Sequence, residues 1–175
     1  ISACLVGSEM CIRDSVQGLM QRFGVDMEHA DRVARTACAL FDQAAPPGSE
    51  RASRKLDWAA RLHEIGCRIS HSDYHRHGAY ILDNTDAAGF AVPELHRLGV
   101  LVQGQRGKVR KLGVELDDPI FVLQLLCLRL AVALCHARRE PDTKGLSLQA
   151  DGQQFQVSAR PGWAIAYPQS CLLYT

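Results

Sequence analysis

At 175 residues the chain has the length of one ordinary domain, or of one domain and part of another. With 47% hydrophobic and 22% charged residues it falls outside the disordered and fibrous classes. A formal net charge of +1 excludes a globally basic nucleic-acid binder.

The two ends, Ile1–Ser15 and Ser170–Thr175, read as translated sequencing-adaptor sequence, so both are expected to be non-native and the remainder to be an internal piece of a larger gene product. From Asp26 onward, Met27, Ala30, Val33, Ala34, Ala37, Leu40, Phe41 and Ala44 recur at three- and four-residue steps, which predicts a helix of about five turns. Asp26 is placed to cap it, and Pro46-Pro47-Gly48 to end it. A polar link over Ser49–Arg54 leads to a second helix, about Lys55–Ile65, with Gly66 as its C-cap. Ser70–Asn84 reads as at least partly helical and is followed by a turn around Asp83–Asp86. Pro93 opens the next helix, which carries Leu95, Leu98 and Val102. Asp117-Asp118-Pro119 opens the most apolar one, Ile120 to about Ala137, expected at the centre of the core. The period then changes to two: Leu146, Leu148 and Ala150, a turn at Asp151-Gly152, then Phe155, Val157 and Ala159 predict a β-hairpin.

Seven cysteines are present but no C-x-x-C. Cys38, Cys67, Cys127 and Cys135 sit singly in apolar helical patterns, which predicts buried free thiols in a reducing cytoplasm rather than a zinc knuckle or a redox pair. No apolar run reaches the roughly 20 residues of a membrane span, so none is expected.

Two sets of residues carry chemistry. His29 near the start of the first helix, with His63 and Glu64 at the end of the second, offers ligands that borderline divalent metals accept. A metal site needs a closing acid, and the apolar core helix offers Arg129 in its place, whose cation would repel a metal ion. A metal-free cluster is therefore expected, with His63 and Glu64 bonded to each other or to Arg129. The second set is cationic. Arg97, Arg106, Lys108, Arg110 and Lys111 fall between Leu95 and Leu112 with no acid among them, and His75, Arg76 and His77 are candidates to extend the strip. Such groups bind phosphate chains by point charge and forked guanidinium donors. No Walker loop, dinucleotide-binding glycine motif or nucleophile elbow occurs, so catalytic residues for phosphoanhydride cleavage are not expected in this chain.

The ordered string L-H-E-I-G, H-S-D-Y-H-R-H-G-A-Y-I-L and N-T-D-A-A-G-F within Leu56–Phe90 resembles the C-terminal region of the exopolyphosphatase and guanosine pentaphosphate phosphatase (Ppx/GppA) family. The flanks FGVDMEHADRVARTACALFD, LVQGQRGKVRKL and LQLLCLRLAVALCHAR extend the resemblance over about Gln21–Pro168. It implies a mainly α, HD-domain-like helical bundle over 16–140 and the truncated start of a small α+β domain over 141–169. It further implies that two actin-like domains, with magnesium and the catalytic glutamate, lie outside this chain. The region present would bind inorganic polyphosphate through Arg97, Arg106, Lys108, Arg110, Lys111, His75, Arg76 and His77, and support a homodimer. No cofactor is expected in this part. Relatives commonly carry histidine where Gln105 stands, while Arg129 fits the family's replacement of the HD aspartate. An autonomous HD-type metal-dependent nucleotide phosphohydrolase using His29, His63 and Glu64 is the competing enzyme reading, and a signalling domain used only for protein contacts is a third.

Overall fold

A computed structural model describes residues 2–109, 112, 116–151 and 154–166. Six helices precede a two-stranded antiparallel sheet: α1 Ser2–Arg22, α2 Met27–Ala44, α3 Glu50–Arg61, α4 Tyr74–Asp83, α5 Val92–Gly104 and α6 Pro119–Leu134, then β1 Leu146–Asp151 and β2 Gln154–Ala159. A four-residue helix, α7 Trp163–Ala166, follows the sheet. The architecture is mainly α followed by a hairpin, as the periodicities require.

Each boundary has a local cause. Asp26 caps α2 by accepting the His29 N–H at 3.0 Å, and Asp118 caps α6 by accepting the Ile120 and Phe121 N–H groups. Pro119 then takes the first position of α6, where no N–H is needed. α2 buries Ala30, Val33, Ala37, Leu40 and Phe41 against α3 and α6, and α6 buries Phe121, Leu123, Cys127, Leu128 and Leu134. Removing the ring of Phe41, which is fully buried, would cost about 3 to 5 kcal/mol. Leu146, Leu148 and Trp163 join the same continuous core as the helices. Gln43 on α2 accepts the Leu148 N–H at 2.9 Å and so covers the outer side of β1.

Several expectations need correction. α3 begins at Glu50, so most of the predicted polar link is helical, and it ends at Arg61. Gly66 is not its cap but part of a 3-10 turn, Ile65–Arg68. A Cβ at Gly66 would stand 2.0 Å from the Tyr74 carbonyl oxygen and 2.5 Å from the Gly78 nitrogen, so this corner packs on α4 at a distance only glycine permits. α1 has no counterpart in the sequence reading. It runs through residues set apart as adaptor sequence, and Ile12 of that stretch lies in the core with Val16, Leu19 and Met20. The segment Pro119–Ala137 is, at 19 residues, long and apolar enough to cross a membrane by length and composition, contrary to the expectation of no such run. More than half of it is buried within the fold, the position of a core helix. The hairpin pairs Leu148 with Val157 and Ala150 with Phe155; the predicted turn residue Gly152 lies outside the described residues.

Candidate functional site

The end of α3 and the start of α2 bring His29, His63 and Glu64 together. One ligand atom from each lies within 4.8 Å of the other two. His29 Nε2 is 3.8 Å and His63 Nε2 4.0 Å from Glu64 Oε1, while the imidazole rings stand 5.4 Å apart at 55°. His63 Nδ1 lies 2.7 Å from the Ala60 carbonyl. A carbonyl only accepts, so Nδ1 carries the proton and, in neutral His63, Nε2 offers a lone pair toward Glu64. Nδ1 of His29 is buried without a partner among the described residues.

Burial sets the charge of this cluster. Desolvation drives His63 down to about 4, against the bond to Ala60 and helped by the Arg138 cation. Desolvation also lowers His29, opposed by Glu64 and reinforced by His63 and Arg138. Both imidazoles are therefore neutral at pH 7. As ligands they suit a borderline divalent metal, and the His63 bond to a backbone carbonyl is the usual orienting support. The fit is incomplete: among the described residues there is no fourth protein ligand, and His29 lacks an orienting acceptor.

The cation beside the cluster is not Arg129. Its Nη1 donates to the carbonyls of Gly104 at 2.7 Å and Gly107 at 3.0 Å, capping the end of α5, so it bonds neither His63 nor Glu64. The cation is Arg138, whose Nη2 lies 3.6 Å from Glu64 Oε1 and whose Nη1 donates to Asp26 Oδ2 at 2.5 Å. The cap bond from His29 N–H and the Arg138 charge together hold the Asp26 carboxyl below its usual range. Gln105 adds a second tie from the neighbouring helix end: its amide donates to the carbonyls of His63 at 2.7 Å and Val102 at 3.0 Å.

The cationic strip divides. Arg97 faces elsewhere, paired with Asp118 at 2.5 Å and lying 4.7 Å over the Phe121 ring. Arg110 and Lys111 lie outside the described residues. Arg106 and Lys108 are exposed on the turn that Arg129 clamps and have no acidic partner among the described residues. The Arg106 guanidinium sits 5.9 Å from the Tyr74 ring, at the start of α4. His75 follows Tyr74 and is buried, and a Cβ at Gly107 would stand 3.9 Å from its Nε2. Desolvation lowers His75, opposed by Asp73 and reinforced by Arg76, Arg106 and His77, so these four side chains share one local field. Arg76 is exposed and 3.6 Å from Asp73. Three further cations, Arg51, Arg54 and Lys55, are paired with acids, the outer two with Glu94 and Arg54 with Glu9. Sequence reasoning thus named the histidines, Gln105 and the Arg106 turn but not Arg138, nor the tie of Gln105 to His63. The cluster His136, Arg138 and Arg139 at the end of the apolar helix was the available signal for Arg138.

A family model described as Ppx/GppA phosphatase, domain III, matches residues 12–171. A guanosine-5'-triphosphate,3'-diphosphate pyrophosphatase of Aeromonas hydrophila is 33% identical over 156 residues, taking in 85% of this chain and 32% of the relative. The protein of the same name from Aeromonas salmonicida is 31% identical over 156 residues, with the same coverage. The chain thus spans about a third of the length of the curated relatives it matches.

Proposed function

We propose a function from the premise that the chain belongs to the Ppx/GppA phosphatase family. It is the part of a phosphoanhydride hydrolase that holds a phosphate chain, acting on inorganic polyphosphate or on guanosine pentaphosphate. The bonds would be cut by residues outside this chain, where magnesium also belongs. The observation that carries the reading is the Arg129-clamped turn: it holds Arg106, free of described acids, against the start of α4 and in the same field at His75 as Arg76 and His77, with exposed Lys108 next along the chain. Exposed guanidinium and ammonium groups fixed on a rigid turn bind phosphoryl oxygens with little lost flexibility. Support of a homodimer in the full-length protein and residence in a reducing cytoplasm complete the proposal. The latter is supported by five free cysteines among the described residues. The test is retention of the chain on immobilised polyphosphate across a sodium chloride series. Arg106→Ala with Lys108→Ala should weaken retention and flatten its salt dependence, as expected when cation–phosphate contacts are removed. Unchanged retention would overturn the assignment.

A second reading, an HD-type metal-dependent nucleotide phosphohydrolase, draws on one observation, the approach of His29, His63 and Glu64. Stoichiometric manganese, iron or zinc in the purified chain, together with nucleotide phosphatase activity lost in His63→Ala, would establish it. The contact of Arg138 with Glu64 favours the metal-free form.

A further inference from the structure

Arg138 stands in the left-handed region, with φ of 53°. Side chains other than glycine, asparagine and aspartate rarely adopt this conformation, and such strain persists only where surrounding contacts impose it. Here the contacts are charged. One arm of the guanidinium donates to Asp26 at the cap of α2, and the other lies 3.6 Å from Glu64. The histidines behind Glu64 are buried, His63 to 1% side-chain exposure, whereas the Arg138 side chain is 52% exposed. The guanidinium therefore lies on the solvent side of the cluster.

We propose that Arg138 is a built-in cation closing a latent transition-metal site, formed by His29, His63 and Glu64, for a divalent ion of the zinc, cobalt or nickel class. Two imidazoles and a carboxylate are ligands this class accepts, and His63 is already oriented by its bond to Ala60. The ligand atoms lie within 4.8 Å, so they need only close in on an ion with bonds of roughly 2.0–2.2 Å. In the wild-type chain the same Glu64 oxygen serves the guanidinium, and a metal ion entering there would meet a like charge. Asp26 is the natural second anchor of that guanidinium, which explains why an arginine is held in an unfavourable backbone conformation at this position. The inference deepens the metal-free form of the proposed function and rests on it. Its readout, metal absorption, is independent of polyphosphate retention.

The experiment is titration of the whole chain with cobalt(II) chloride, followed by visible absorption. Arg138→Gly and Arg138→Asn both suit the left-handed backbone while removing the cation, so they are expected to fold, which far-UV circular dichroism checks. The expected result is a saturable band at one cobalt per chain in both variants, with affinity at least about tenfold above wild type. The band should disappear in Arg138→Gly with His63→Ala. Equal binding by wild type and variants would overturn the proposal, because the guanidinium would then be no barrier. Folded variants with no saturable band, or a band that survives His63→Ala, would overturn it as well, because the three side chains would then not be the site. Polyphosphate retention of Arg138→Gly should match wild type; if retention fails in the wild-type chain while cobalt behaves as stated, the phosphate reading alone falls.

Discussion

The two chemically loaded regions of this protein use the same side-chain types to opposite ends. Around Glu64, imidazoles are buried and neutral, and the arginine is engaged by two acids. Around Tyr74, the arginine and lysine of the Gly104–Gly107 turn and its neighbour are exposed and free of described acids, while Arg129 binds the Gly104 and Gly107 carbonyls and Gln105 ties the turn to His63. Burial and pairing, not residue type, decide which region meets a ligand. The first is an internal joint between α2, the α3 corner and the segment after α6; the second is the exposed turn proposed above to hold a phosphate chain. The two touch back to back, because Gly66 of the Glu64 corner abuts Tyr74 and Gly78 of α4.

The sharpest way to break the comparison is to force that contact apart. Gly66→Ala places a methyl against backbone atoms that cannot give way, and a loss of about 3 kcal/mol or more is expected in urea unfolding. Both polyphosphate retention and the core should suffer together. Next comes pH. His63 is held at about 4 in the fold against an ordinary value of 6.5, so the unfolded chain binds its proton first. The stability this group contributes is complete above pH 6.5 and drains away as pH falls through about 4, a total of about 3 kcal/mol. His63→Gln should flatten the wild-type stability profile across that window while leaving polyphosphate retention at pH 7 unchanged. On the exposed side, Arg106→Ala alone should weaken retention about tenfold, roughly 1.4 kcal/mol, with no change in melting temperature beyond a degree or two. The smallest effect is expected for Arg97→Ala. Its partners are Asp118 and the Phe121 ring, so a loss below about 1 kcal/mol in stability and none in retention would separate it from the strip in which its sequence position placed it.

Much of the fold was legible because local signals agreed with one another. In α2 the cap at Asp26, the apolar stripe and the proline stop all point the same way, and in the hairpin the period of two is unbroken from Leu146 to Ala150 and from Phe155 to Ala159. The corner after α3 was not legible. Gly66 has the composition of a helix cap, but its place is fixed by the Tyr74 carbonyl, a contact no local pattern contains. The site shows the same division. Spacing along two helices suffices to bring His29 and His63 near one another: the short 45–49 link folds α3 back along α2, so the start of α2 and the end of α3 meet at the end opposite that link. Which arginine meets Glu64 depends on the face that α6 turns inward and on the left-handed residue that ends the following 3-10 turn. Arg129 sits on the core helix yet its side chain runs to the end of α5, and Arg138, three residues beyond the last buried position, Cys135, folds back instead. Gln105 is a clasp on the His63 carbonyl, a role no local pattern in the sequence contains.

The bond from Gln43 to the Leu148 N–H has a consequence for assembly. With a helix side chain seated on the flank of β1, that flank is no longer a template for main-chain pairing. Among the described residues the outer flank of β2, Gln154–Ala159, pairs with no other strand, so a strand added to this ribbon, whether from the same polypeptide or from another copy, would lie next to β2.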